Sequence, residues 1–301
     1  MIDEKNIRQN SVKAWLLAAR PKTLAAAAVP VMLATAMAWH DSGTDIRVPA
    51  VILCFLFAFV MQVDANFVND YFDFKRGNDD ETRLGPKRAC AQGWVTERAM
   101  LVALGITTGL GCTVGLPLIY YGGVEMILVG FACVVFCFLY TTHLSYLGLG
   151  DVLVLAFFGI VPVCCTYYVE VPDGLPRFGW HVLSVSIACG LVVDTLLIIN
   201  NFRDIDNDIK AGKKTLAVYV GPKAMSFIYA LVYPAGLLIV LLDFYSRLTY
   251  LVCVILLLLH YMTWKRMVRI GKGRELNKVL GMTARNIFLF GLLISLSVIL
   301  S

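Results

Sequence analysis

Charge is what this sequence has least of. Only 16% of its 301 residues are Asp, Glu, Lys or Arg, against about a quarter in ordinary soluble domains. That shortage excludes a soluble globule, which would need far more polar surface than is left over. Polar linkers, low-complexity tracts and charged tails are missing as well, so a single domain over residues 1–301 is expected. Histidine occurs 4 times, and no Cys/His spacing suits zinc. Of the 9 cysteines, Cys54, Cys112, Cys133, Cys137, Cys164, Cys165, Cys189 and Cys253 fall in apolar stretches, where cysteine behaves as a small apolar residue. Cys90 lies in a loop expected to face the cytoplasm, where disulfides are rare. A cleavable signal peptide is not expected, because residues 1–22 are charged and the apolar run after them is long enough to be a span.

What fills the sequence instead is apolar: 59% of the residues, in long charge-free runs. A helix needs roughly 20 such residues to cross the hydrocarbon of a bilayer. Nine spans are expected, near 19–39, 48–69, 98–119, 122–141, 150–170, 179–201, 222–243, 247–264 and 283–300. The third and fourth part at Tyr120-Tyr121-Gly122-Gly123. The predicted fold class is therefore all-α, a polytopic membrane bundle of about nine transmembrane helices. Basic residues orient it. With the N-terminus cytoplasmic, 23 of the 26 Lys and Arg fall on the inner side, leaving Arg47, Arg177 and Arg247 outside. The net charge of +5 is then a topology signal and requires no nucleic acid.

Acids are few, so their placement is informative. Five lie between Asp70 and Glu81, and three between Asp204 and Asp208. The first cluster starts at Asn66 and continues through Asn69, Asp70, Asp73, Lys75, Arg76, Gly77, Asn78 and Asp79. The second starts at Asn200 and continues through Arg203, Asp204, Asp206, Asp208, Lys210, Lys213 and Lys214. Asn66, Asp70 and Asp73 share one helix face by spacing, as do Asn200, Asp204 and Asp208, while Asp206 points elsewhere. The offset from Asn66 to Asn200 is 134 residues, the same as from Asp70 to Asp204. Two such faces would gather carboxylates that repel one another. A hard cation such as Mg²⁺ relieves that repulsion and keeps positions open for phosphate oxygens. The bases among and after the acids, Lys75, Arg83, Arg88, Arg203, Lys213 and Lys214, suit a polyanion, so a metal-bridged diphosphate is expected. Two further acids lie inside spans, Asp64 and Asp194, where acids are costly. Asp194 falls on nearly the face of Asn201 and Asp208 and is expected to line a cavity; Asp64 is turned away from Asp70.

At these residues the sequence resembles the UbiA superfamily of membrane prenyltransferases. Asn69-Asp70-Tyr-Phe-Asp73 matches its first motif, and Asp204 with Asp208 its second. The MenA type, which prenylates 1,4-dihydroxy-2-naphthoate, is the nearest resemblance. Its blocks are Arg20-Pro21-Lys22-Thr23-Leu24, Asn66 to Asp73 with Gly77 and Asp79, Arg83 to Arg88 with Gly93, Gly148 to Asp151 with Phe157-Phe158-Gly159, and Asn200 to Val218 with Gly221. They cover residues 20–221, and the last three spans carry only hydropathy. One departure stands out. Many members place a tyrosine and a basic residue together after the fourth span. Here Tyr140-Thr-Thr-His143-Leu-Ser-Tyr146 contains no Lys or Arg.

The resemblance implies Mg²⁺-dependent transfer of a polyprenyl chain from its diphosphate to an aromatic acceptor, with loss of CO₂ and diphosphate, giving demethylmenaquinol. It implies an active site on the cytoplasmic side of the inner membrane. It makes Asn66, Asp70, Asp73, Asn200, Asp204 and Asp208 the candidates for metal and diphosphate. Arg20, Lys22, Asn69, Tyr140, Tyr146 and Asp194 become candidates for the acceptor, with Lys22 then Arg20 expected on its carboxylate. Phe67, Tyr71, Tyr140, Tyr146 and Phe202 are near enough to the motifs to steady an allylic cation. Two other functions are carried alongside: the same chemistry on 4-hydroxybenzoate or homogentisate, and a cation-coupled transporter.

Overall fold

The computed structural model describes residues 7–43, 45–77 and 83–301; Asn78, Asp79 and Glu81 of the first cluster lie outside them. Among the described residues it is helical throughout, and nine helical segments are long and apolar enough to cross a membrane. This is a multi-pass membrane protein, and the expected nine spans are found. A short α1 (Val12–Ala19) precedes α2 (Pro21–Ser42), α3 (Val48–Lys75), α4 (Glu97–Gly115), the single turn α5 (Ile119–Gly122) and α6 (Glu125–Thr142). Then come α7 (Gly150–Leu155) and α8 (Val161–Glu170), and the long α9 (Trp180–Lys210). The chain ends with α10 (Leu216–Asp243), α11 (Arg247–Ile270) and α12 (Leu276–Ile299).

Local chemistry sets the breaks. Ser11, Thr96 and Ser246 cap α1, α4 and α11 through their hydroxyls. Pro21 opens α2 just after Arg20, which adopts a left-handed conformation (φ 51°). Gly123 (φ 82°) separates α5 from α6 at the predicted aromatic and glycine turn. Within α10, Gly221 (φ 77°) is non-helical, so the straight part of that span starts at Pro222.

α7 and α8 are joined into one span by a π-helical turn at Ala156–Ile160. Gly159 in that turn meets Gly190 of α9 so closely that an added Cβ would lie 2.7 Å from the Gly190 Cα. Small residues allow such backbone contact between membrane helices. α2 and α9 form the middle of the bundle, each with 61% of its most apolar window buried, whereas α6 has only 6% buried. The last three spans are tied by buried polar groups. Tyr229 bonds Thr283 at 2.6 Å, Asn286 donates to Thr263 at 2.9 Å, and His260 stacks on Tyr233. At one end of the bundle Asp41 accepts from Tyr167 (2.7 Å) and pairs with His181 (2.8 Å). In the nearby loop, hydrogen bonds from Arg47 and Arg177 hold the Asp173 carboxyl below its usual range. The C-terminal ends of α3 and α9, with both acidic motifs, lie at the opposite end. All nine cysteines are free.

Candidate functional site

The first motif is built around a loop clip. Asp70 is 1% exposed, and its two carboxylate oxygens accept the backbone N–H groups of Ala89 (2.9 Å) and Cys90 (2.8 Å). Three residues on, Asp73 pairs with Arg88 at 3.2 Å. The segment after α3 is therefore drawn back over the end of its own helix. Asn66 turns the other way, donating to Ala19 O and Thr23 Oγ1, both at 2.9 Å. It thereby clamps the α1–α2 junction where Arg20 and Lys22 stand. Asn69 accepts from the Thr141 hydroxyl at 2.8 Å, linking α3 to α6.

The second motif is organised by Arg203, a buried guanidinium. It donates to both oxygens of Asp204 (2.8 and 2.5 Å), to Asn200 (2.7 Å) and to Asn277 of α12 (2.7 Å). Asn277 in turn donates to Leu84 O at 2.8 Å, and Arg274 to Arg83 O. A Cβ at Gly85 would sit 3.0 Å from Arg203 Nη2 and 3.4 Å from Arg83 Nη2. The loop clipped by Asp70 thus spans to the second motif and sets Arg83 beside Arg203. Asp208 accepts from Thr215 at 3.4 Å, while Asp206 is exposed and pairs with Lys272.

A third link joins the motifs through Tyr146. The Arg76 guanidinium lies 4.7 Å from its ring centroid and the Lys213 ammonium 5.2 Å, and Lys214 N–H donates to Tyr146 O. Arg76 also bonds Thr141 O and Thr142 O. The loop after the fourth span has no Lys or Arg of its own, and Arg76, just past the end of α3, sets a guanidinium against it.

Between the two motifs opens a cavity of about 1990 Å³. Arg20, Lys22, Arg83, Lys87 and Arg88 line its mouth with Asn69 and Asn200, and no acid is among the described lining residues. Beyond the mouth the walls are mostly apolar, with Gln62 and Thr166 among them, reaching Leu118, Ile119 and Met126 at the far end of the bundle. Cys112 of α4 and Leu116 just after it, with Ile127 and Phe131 of α6, line the cavity and are exposed. The cavity therefore opens sideways through a slot between α4 and α6. Its lining joins a row of cations to a long greasy channel, which suits an amphiphile with an anionic head.

Not every candidate reaches this cavity. Lys75 pairs with Glu97 of α4 and lies over Tyr71. Lys214 is exposed, and Asn66 and Asp70 serve the helix junction and the loop. Arg20, Lys22, Asn69, Arg83, Arg88, Tyr140 and Asn200 do line it. Asp73, through Arg88, and Arg203 with Asp204, through Asn200, flank the mouth; Asp208 is bonded to Thr215, and Lys213 is held at Tyr146. Asp194 is buried behind wall residues Val193 and Leu197. Asp64 is fully buried and accepts from Thr107 and Thr108, a structural solution. Sequence reading gave no role to Thr23, quoted only within a family block, or to Thr141 and Asn277, because single polar residues far apart give no spacing signal. Among the described residues no three Asp, Glu, His or Cys side chains converge as a metal cage. The oxygen donors still suit Mg²⁺, which is usually held by one or two carboxylates together with substrate phosphates.

Comparison with known proteins extends this picture. Residues 27–291 match the UbiA prenyltransferase family. The 1,4-dihydroxy-2-naphthoate octaprenyltransferase of Escherichia coli (strain K12) is 35% identical over 218 residues, covering 69% of each chain. The protein of the same name from Mycobacterium tuberculosis is 34% identical over 219 residues, 71% of this chain and 72% of its own. Among solved structures, a UbiA homolog from Archaeoglobus fulgidus bound to GPP and Mg²⁺ gives a TM-score of 0.64 at 14% identity, over 96% of this chain and 100% of its own. The apo UbiA homolog from Aeropyrum pernix K1 gives 0.68 at 15% identity, over 92% of this chain and 97% of its own. At those identities the solved structures share its fold.

Proposed function

The chain belongs to the UbiA prenyltransferase family and is an enzyme that transfers prenyl groups, and from that premise we propose its reaction. It moves a polyprenyl chain from polyprenyl diphosphate to 1,4-dihydroxy-2-naphthoate, releasing diphosphate and CO₂ and giving demethylmenaquinol, a step of menaquinone biosynthesis. The observation that carries the donor half is the cavity, with five cations at the mouth of an apolar channel open to the bilayer. Support for the acceptor half is the identity with named naphthoate prenyltransferases.

In this reading Arg83, Lys87 and Arg88 bind the diphosphate, backed by Arg203. Fixed cations there stabilise the charge that grows as the C–O bond breaks. Asp73, Asp204 and Asp208, with Asn200, are the groups that would hold Mg²⁺, which when bound neutralises the leaving diphosphate as a Lewis acid. Lys22 and Arg20 hold the acceptor's carboxylate at the start of α2. Asn69, tied to Thr141, and Tyr140 line the space between the two substrates. Tyr146, with Arg76 and Lys213 on its ring, keeps the two motifs in register. The apolar walls exclude water, which would otherwise capture the allylic cation. The tail lies along the channel and leaves through the α4–α6 slot. The motif end is placed on the cytoplasmic face of the inner membrane, on the support of 23 of 26 Lys and Arg falling on that side.

Purified protein with Mg²⁺ and a polyprenyl diphosphate tests this against a panel of hydroxylated aromatic acids, following diphosphate and CO₂ together. Equal release of both with the dihydroxynaphthoate is expected. Prenylation of 4-hydroxybenzoate or homogentisate in its place would overturn the acceptor, and no diphosphate release with any acceptor would overturn the reaction.

A further inference from the structure

Two carboxyls stand beside the cavity, away from its mouth. Asp194 lies on α9, six residues before Asn200, which is about 9 Å of helix rise deeper. Asp151, at the start of α7, lies within electrostatic reach of it, and α7 packs on α9. In each acid one oxygen, Oδ1, is buried with no hydrogen-bond partner. A buried carboxyl oxygen left without a partner is costly. The contrast is Asp64, equally intramembrane, whose oxygens accept from the Thr107 and Thr108 hydroxyls.

Their surroundings point toward the cavity. Leu153 and Val154 of α7 and Val193 and Leu197 of α9, neighbours of the two acids in sequence, all line it. Tyr140 of α6 lines it too, with its hydroxyl set against α7: a Cβ on Gly150 would be 3.9 Å from the Tyr140 Oη. That hydroxyl is within electrostatic reach of Asp151 and Asp194, and of Asp73 from α3 and Asp208 from the end of α9.

Resting on the prenyl-transfer reading above, we propose that Asp151 and Asp194 hold one proton between them and take a second, through the Tyr140 hydroxyl, from the acceptor's ring hydroxyl. Two adjacent acids sharing a proton avoid like-charge repulsion and leave one carboxylate as the base. The acceptor O–H passes its proton to Tyr140 Oη while the Tyr140 O–H passes its own to that carboxylate. The electron pair left on the ring oxygen forms a carbonyl as the adjacent ring carbon bonds to the prenyl chain. The donor's C–O bond breaks, and its pair leaves with diphosphate. The ring carbon then carries prenyl and carboxylate beside a carbonyl, so loss of CO₂ returns the C–C pair to the ring oxygen. The proton comes back along the same path, and the pair ends as it began. Tyr140 is the catalytic residue that touches the acceptor, and the two acids act through it.

The test uses Asp151→Asn, Asp194→Asn and Tyr140→Phe in the full-length protein with Mg²⁺, polyprenyl diphosphate and dihydroxynaphthoates made progressively more acidic by ring fluorination. General-base catalysis contributes about 100- to 10,000-fold, so each variant is expected to lose at least about 100-fold in kcat. Donor KM and the thermal midpoint in detergent stay near wild type. The deficit shrinks as the acceptor's hydroxyl becomes more acidic, which a purely structural defect would not produce. A kcat within about threefold of wild type for either acid variant overturns the proposal, and so does a loss uniform across the acceptor series. Full activity in Tyr140→Phe removes the relay. If the wild type prenylates a different hydroxylated acid, the naphthoate reading falls while the same variants judge the acid pair on that acceptor. Should the wild type release no diphosphate with any acceptor, both fall together.

Discussion

Substituting Asp70 with Asn separates two roles that the first motif combines. In the structure the Asp70 carboxylate accepts two backbone N–H groups, Ala89 and Cys90, and is almost wholly buried. Asn keeps the size but turns one acceptor oxygen into an NH₂. One charge-assisted bond becomes neutral, and the other is replaced by a donor facing a donor. A charged hydrogen bond contributes about 1.5–3 kcal/mol and an orphaned buried N–H costs about 1–3, so the clip loses roughly 2–4 kcal/mol. For amides that exchange by local opening, that is roughly 30- to 1000-fold faster exchange. Hydrogen–deuterium exchange read by mass spectrometry, on protein freed of divalent metal, measures it at the peptide covering Ala89 and Cys90. The same loosening should raise the KM for the diphosphate donor, because Arg83, Lys87 and Arg88 ride on that loop. Wild-type exchange at this peptide together with lost diphosphate release would refute the clip and return Asp70 to the metal role expected of it from sequence.

Three other substitutions follow from the geometry. Lys22→Ala should raise the KM for the acceptor more than for the diphosphate, and the reverse ranking in steady-state kinetics would remove Lys22 from the acceptor's carboxylate. Arg203→Lys keeps the charge but cannot reproduce the fork that reaches Asp204, Asn200 and Asn277; a fall in kcat/KM for the donor of at least about tenfold is expected. Gly190→Ala puts a Cβ 3.0 Å from the Leu155 backbone, and overpacking of that kind costs about 1–3 kcal/mol, seen as a lower unfolding midpoint in detergent.

Much of the architecture was legible because hydropathy acts locally. Each span declares its own length, and a turn such as Gly122-Gly123 declares its own break. The acidic motifs were legible for the same reason, since i, i+4 spacing is a property of one helix. What was not legible lies between helices. Asp70 and Asp73 read as equivalent ligands, yet one fastens a loop and the other pairs with an arginine that the loop carries. The missing base after the fourth span was sought in the neighbouring sequence, whereas Arg76 reaches that loop from just past the end of α3. Asp151 appeared only as part of a family block, and its relation to Asp194 requires α7 and α9 to be packed together. In the last three spans hydropathy hid the Tyr229, His260, Thr283 and Asn286 contacts, because lone polar residues on separate helices form a network only once the helices meet.

The sideways slot between α4 and α6 makes the membrane's own acyl chains part of the enzyme. Ile127 and Phe131 line the channel and are exposed, so in a bilayer a channel open at that slot would be solvated by hydrocarbon. A polyprenyl tail entering it trades one greasy surrounding for another, and that exchange is nearly neutral, since lipid tails are as apolar as the walls. In the proposed reaction, recognition of the donor therefore rests on its charged head beside the arginines and lysines at the mouth. A product stripped of that head loses those contacts.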